Sequence, residues 1–96
     1  MPELKKYKMF IGGEWVDSDT KKTFETLNPE DNKPWAVVPE ASANDVDKAV
    51  KAAQKAFERD WPKILPRERA KFLRAIGKKL RDNAELLGKI ETIDTG

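Results

Sequence analysis

The stretch from residue 66 to residue 96 carries the strongest periodic pattern in this sequence. Apolar residues recur there at spacings of three and four, as in a helix that buries one face. The members of this apolar stripe are Leu73, Ile76, Leu80, Ala84, Leu87 and Ile90. Asp94 continues the series, so the pattern predicts a carboxylate that points inward and has a polar partner there. Any fold for this chain has to supply that partner.

The same stretch is predicted to divide into two consecutive helices. Asp82 and Glu85 have the spacing of a capping box, in which a side chain at the helix start and one three residues later bond each other's backbone. Pro66 suits the first position of a helix because that residue needs no amide donor. The predicted helices are residues 66–81 and 83–94.

An earlier helix is predicted over residues 42–60. Ser42 and Asp45 have the capping-box spacing at its start, and apolar residues follow on one side. Trp61 and Pro62 break the pattern and end this helix.

Before the first helix, residues 8–39 are predicted to form a β arm of short strands. Gly12 and Gly13 suit a two-residue hairpin turn that needs positive φ angles. The predicted strands are residues 9–11, 14–16, 23–27 and 35–38. Residues 1–7 are polar, and we expect a disordered tail there.

Composition removes most kinds of catalytic site from these 96 residues. With no cysteine and no histidine, the chain has no disulfide, no thiolate or imidazole metal ligand and no Cys or His catalytic group. It also has no glycine-rich phosphate loop. The net charge of +2 gives no argument for binding nucleic acid or a membrane. Without an apolar segment of signal or membrane-span length, the default compartment is the cytoplasm.

One side of the predicted helix 66–81 carries a basic stripe. Its members are Arg67, Lys71, Arg74, Lys78 and Arg81. The favoured interpretation is a solvated face whose long aliphatic stems cover the core. The alternative is a stand-alone α+β interaction module that binds an acidic partner through this stripe.

Glu91 and Asp94, three residues apart, admit three interpretations. They could form a paired acid–base site, although no opposed carboxylate pair supports this. Capping or local hydrogen bonding is the commoner role of such pairs. The third option is coordination of a hard monovalent cation together with main-chain oxygens. The strand end at Thr26 and Leu27, before Asn28-Pro29, offers such oxygens.

Several motifs occur in an order that resembles a known family. They are FIGGEWVDS (10–18), TFETLNP (23–29), VPEASANDVDKAVKAAQKAF (38–57), WP (61–62), PRERA (66–70) and ETIDTG (91–96). This ordered set, spanning about residues 8–96, is similar to the N-terminal portion of NAD(P)-dependent aldehyde dehydrogenases. One departure is the turn at residues 30–33, where the family commonly has a glycine. Asn32 can take the left-handed geometry that such a turn needs.

The resemblance implies an α/β fold in which residues 1–96 are the N-terminal part of a Rossmann-type NAD(P)-binding domain, with the catalytic domain absent. The family oxidises an aldehyde to a carboxylic acid with NAD⁺ or NADP⁺, using a cysteine nucleophile, a glutamate base and an asparagine beside the oxyanion. None of these groups can be assigned here, so no catalytic or cofactor-binding residue is predicted, and the piece alone is expected to be inactive.

The resemblance also implies partners and one ion site. The expected partners are the remainder of the enzyme chain, the aldehyde substrate and further copies in a homodimer or homotetramer. Many family members hold a structural Na⁺ or K⁺. By resemblance its ligands here are main-chain oxygens of Thr26 and Leu27 together with Asp94. Such a site would join the β arm to the last helix.

Overall fold

Two small sheets and three helices make up residues 4–96, the part of the chain that the computed structural model describes. A short 3-10 helix, Trp61–Lys63, connects the first two α-helices. The strands are β1 (Lys5–Lys6), β2 (Met9–Ile11), β3 (Glu14–Val16), β4 (Thr23–Asn28) and β5 (Lys33–Pro39). The helices are α1 (Ala43–Arg59), α2 (Pro66–Asp82) and α3 (Ala84–Thr95). The α/β fold class expected from the sequence is confirmed.

The β2–β3 hairpin forms around the glycine pair. Met9 lies opposite Val16, and Ile11 opposite Glu14, so two residues make the turn. Gly12 and Gly13 have φ angles of 61° and 82°, in the left-handed region that a side chain would strain.

The second sheet has the order β1-β5-β4. β4 and β5 are antiparallel, with Asn28 opposite Lys33 and Thr23 opposite Pro39. In the turn between them, Asn32 has a φ of 56°, the left-handed conformation expected at this position. The pairing shifts between Thr26 and Leu27, a bulge that locally disrupts the ladder near the end of β4.

The predicted disordered tail differs from the structure at its C-terminal end. Lys5 and Lys6 form β1, parallel to β5, and the amide of Tyr7 donates to the carbonyl of Val37 at 2.9 Å. The Tyr7 ring also meets the Trp35 ring edge to face, with centroids 6.3 Å apart. Backbone pairing along a free strand edge does not depend on side-chain polarity, which is why composition misjudged this segment. Residues 1–3 of that prediction lie outside the described residues.

The helix starts follow two of the three predicted signals. Ser42 and Asp45 make a complete capping box at the start of α1, and Pro66 occupies the first turn of α2. The predicted cap at Asp82 is wrong. Asp82 is the last residue of α2, and its carboxylate accepts a hydrogen bond from Lys78 at 2.8 Å. Asn83 forms the seam instead, and its side-chain amide donates to the carbonyl of Lys79 at 2.8 Å.

Little of this chain is buried within itself. Ala36, on β5, is the only buried apolar residue of the described part. The radius of gyration is 17.0 Å, against about 13 Å for a compact chain of this length. The apolar stripe of α2 is open to solvent, with Leu73 69% and Ile76 56% exposed. Residues 4–96 therefore leave apolar helix faces exposed.

Candidate functional site

The C-terminal end of α3 meets the β4–β5 sheet at Asp94. Its Oδ1 accepts a hydrogen bond from the Thr26 hydroxyl at 2.5 Å and one from the Trp35 indole N–H at 3.2 Å. Thr26 lies on β4 opposite Ala36, and Trp35 precedes Ala36 on β5, so neighbouring strands supply the two donors. The sequence predicted a polar partner for Asp94, and the structure provides two.

The predicted ion ligands are partly brought together. Thr26 and Asp94 touch, although through the Thr26 hydroxyl rather than its main-chain oxygen. Leu27 is the next residue of β4, just beyond the shift in strand pairing. Carboxylate and carbonyl oxygens are the donors that hard cations prefer, so this donor set fits Na⁺ or K⁺ in chemistry. The ion site itself stays a prediction.

A transition metal or a multi-carboxylate ion site would need several ligating side chains close together. Residues 4–96 contain no group of three or more His, Cys, Asp or Glu side chains that could hold a metal. The predicted site uses one carboxylate and main-chain oxygens, so it is of a different kind.

A second polar cluster joins the β arm to the start of α1. Asp45, which is 4% exposed, accepts hydrogen bonds from the Ser18 hydroxyl at 2.8 Å and from the Ser42 amide at 2.9 Å. The amide of Asp19 donates to the same carboxylate at 3.2 Å. Ser18 is also buried, and its hydroxyl is satisfied. The cluster fixes the loop after β3 onto the helix.

The protonation of this cluster argues against acid–base chemistry. The Ser42 amide, with smaller contributions from the Ser18 hydroxyl and the Asp19 amide, lowers the pKa of Asp45 from its ordinary 3.8. The side-chain amide of Asn44 lowers the pKa of Asp19. An acid–base pair needs two environments that push the pKa values apart. Here both carboxylates are held ionised, which suits a structural joint. Sequence reasoning had recognised Ser42 and Asp45 only as a cap.

The basic stripe of α2 lies in solvent. All five of its members are exposed, and Lys78 pairs with Asp82 within the same helix. The exposed apolar residues of α2 include Phe72, Leu73 and Leu80. The helix therefore presents both charged and apolar side chains to solvent.

The β arm and the three helices form an α/β arrangement, and the ordered motifs run through it from β2 to the end of α3. The sequence model described as "Aldehyde dehydrogenase family" matches residues 15–96. The chain belongs to the aldehyde dehydrogenase family.

Individual relatives agree with this assignment. An aldehyde dehydrogenase of Aspergillus niger is 44% identical over 88 residues, 92% of this chain and 18% of that protein. The cytosolic 10-formyltetrahydrofolate dehydrogenase of Mus musculus is 43% identical over 91 residues, 94% of this chain and 10% of that protein. The NAD⁺ complex of the aldehyde dehydrogenase from Bacillus cereus superposes with a TM-score of 0.92 at 41% identity, covering 96% of this chain and 19% of that one.

The matched proteins are much longer than this sequence. The chain spans about a fifth of the length of the aldehyde dehydrogenases that it matches and about a tenth of the formyltetrahydrofolate enzyme. The 96 residues contain no cysteine. In the described part of the chain, no helix has the length and apolarity needed to cross a membrane.

Proposed function

We propose that this chain is the N-terminal segment of an enzyme that oxidises an aldehyde to a carboxylic acid with NAD⁺ or NADP⁺. The observation that carries the proposal is the combination of family membership with uncovered apolar faces. The Bacillus cereus relative, which matches over nearly all of this chain, was solved with NAD⁺. We propose that the cysteine nucleophile, the glutamate base and the nucleotide-binding groups belong to the remainder of the polypeptide, and that these 96 residues alone have no dehydrogenase activity.

The structural role proposed for this segment follows from its surfaces. Apolar side chains on α1 and α2, among them Val50, Phe57 and Leu73, are exposed within residues 4–96. We propose that the segment covers the Rossmann-type sheet of the cofactor domain. The enzyme is proposed to be cytoplasmic and to form a homodimer or homotetramer.

We further propose that the segment contributes to a structural Na⁺ or K⁺ site. Main-chain oxygens of Thr26 and Leu27 and the carboxylate of Asp94 would hold the ion, with a further ligand from the remainder of the chain. The contact between Thr26 and Asp94 and the interrupted ladder beside Leu27 support this placement. The ion would join the β arm to α3 and would take no part in the oxidation.

The first test is the intact mass of the protein from its native source. A mass several-fold above 10.9 kDa supports the proposal, and the purified protein is then expected to reduce NAD⁺ or NADP⁺ when an aldehyde is added. The matched control is the 96-residue chain alone, which is expected to show no turnover. Turnover by that control would contradict the assignment of the nucleophile to other residues. A native mass of 10.9 kDa, with salt-sensitive binding to an acidic partner, would instead favour the interaction module.

A further inference from the structure

Trp35 has a polar contact that its apolar surroundings on β5 do not require. Its indole N–H donates to Oδ1 of Asp94, 59 residues further along the chain, at 3.2 Å. The Thr26 hydroxyl donates to the same oxygen. Both donors therefore hold Oδ1, and Oδ2 accepts no hydrogen bond from residues 4–96. Two donors on one oxygen fix the direction of the carboxylate and leave its other oxygen free.

The Trp35 ring is itself held in place. It is half-buried on β5 and meets the Tyr7 ring edge to face at 6.3 Å. β5 is paired on both sides, by β1 and by β4, so its backbone is the best fixed in this sheet. A rigid donor restrains a carboxylate better than a mobile one because less side-chain entropy is lost on binding.

We infer that Trp35 is a positioning residue that orients the Asp94 carboxylate toward a monovalent cation and thereby strengthens binding of that ion. The inference rests on the cation site proposed above. Groups that hydrogen-bond a metal ligand without touching the metal commonly change metal affinity about tenfold or more when they are removed. Trp35 has this relation to Asp94.

The experiment uses the full-length protein and measures its thermal midpoint during titration with KCl or NaCl. Choline chloride keeps the ionic strength constant, so a specific site gives saturable stabilisation by the small cation. In Trp35→Phe, which keeps an aromatic ring against Tyr7 and removes the N–H, we expect the half-saturating concentration to rise roughly tenfold. Trp15→Phe is the matched control, since Trp15 packs against Phe10 on the separate hairpin, and its half-saturation should equal that of the wild type.

Tryptophan fluorescence supplies a second readout of cation binding. Trp15→Phe should keep the saturable emission change that the cation causes in the wild type, with the same half-saturating concentration. If Trp35→Phe does not fold, replacing Trp35 with benzothienyl-alanine keeps the ring shape and removes only the donor, and the same tenfold weakening is expected.

The outcomes separate this inference from the site on which it rests. A wild type that responds specifically to K⁺ or Na⁺, with an unchanged half-saturation in Trp35→Phe, overturns the role of Trp35 and leaves the cation site standing. A wild type that responds equally to choline overturns both the site and the inference. Dehydrogenase activity, measured in parallel, tests the assignment of the enzyme separately.

Discussion

Replacing Ser42 with alanine should destabilise the first turn of α1, and the structure shows which hydrogen bond is lost and which is kept. The Ser42 hydroxyl accepts a hydrogen bond from the Asp45 amide at 3.1 Å, and alanine removes this acceptor. The reverse half of the capping box survives, because the main-chain amide of Ser42 still donates to Asp45 at 2.9 Å. One acceptor is lost rather than two, so the cost should be about 1 kcal/mol, near the middle of the range for N-cap replacements.

The assay is hydrogen exchange of the Val46 amide in the full-length protein. This amide donates to the main-chain carbonyl of Ser42 at 3.1 Å, a bond that every variant retains. Its exchange therefore reports the free energy of opening the turn rather than the loss of its own partner. A cost of about 1 kcal/mol corresponds to exchange about fivefold faster in Ser42→Ala.

Two variants and one internal reference sharpen this test. Ser42→Gly should accelerate exchange less than about twofold, because water can reach the bare backbone, and Ser42→Thr should stay close to the wild type. α2 begins at Pro66 without a side-chain cap, so its first turn should not respond. Equal acceleration in α1 and α2, or an unchanged Val46 amide in Ser42→Ala, would refute the reasoning.

Three further predictions concern the turn, the helix connection and the polar joint. Gly13 has a φ of 82° and no atom within 4 Å of the position that a Cβ would take, so Gly13→Ala should lower stability by about 1 kcal/mol through backbone strain alone. Gly12→Asn should cost less, because asparagine tolerates the left-handed conformation. Urea denaturation of the full-length protein compares the two variants, and equal effects would contradict the strain argument. Arg69→Lys should lower stability by about 1–2 kcal/mol. The guanidinium donates to the carbonyls of Ile64 and Trp61, at 3.1 and 2.9 Å, and lies 5.1 Å from the centre of the Trp61 ring. Faster proteolysis of the α1–α2 connection would confirm this prediction, and unchanged cleavage would contradict it. The contribution of Asp45 to stability should be complete above its unfolded pKa, about 3.8, and should be lost as the pH falls through its lower folded pKa. Hydrogen exchange of the first turn of α1, measured against pH, should show this acid-dependent step in the wild type and lose it in Asp45→Asn. A step that persists in Asp45→Asn would belong to another group.

Local signals in the sequence predicted the local structure well. The glycine pair indicated the hairpin turn, Ser42 and Asp45 the start of α1, and Pro66 the start of α2. Each signal acts within four residues, where backbone conformation and short-range hydrogen bonds decide the outcome. The seam at Asn83 shows the limit of this approach. Two acidic residues with capping-box spacing lie beside it, but α2 continues through Asp82, whose carboxylate pairs with Lys78.

Contacts between distant residues were less predictable. Periodicity indicated that Asp94 needed a partner, yet nothing local identifies a tryptophan 59 residues earlier as a donor to it. Ser18 likewise meets Asp45 across 27 residues. Such pairs depend on how the elements dock, and docking is set by surfaces rather than by spacing along the chain.

Those two contacts also explain how a chain with so little buried apolar area holds a defined arrangement. Between β4 and α3, and between the β3–β4 loop and α1, side-chain hydrogen bonds to Asp94 and Asp45 fix the elements relative to one another. Directional bonds specify one geometry, whereas apolar contact alone admits many. The apolar faces of the helices stay exposed in this arrangement. If the segment covers the sheet of the cofactor domain, as proposed, these are the faces that would pack on it.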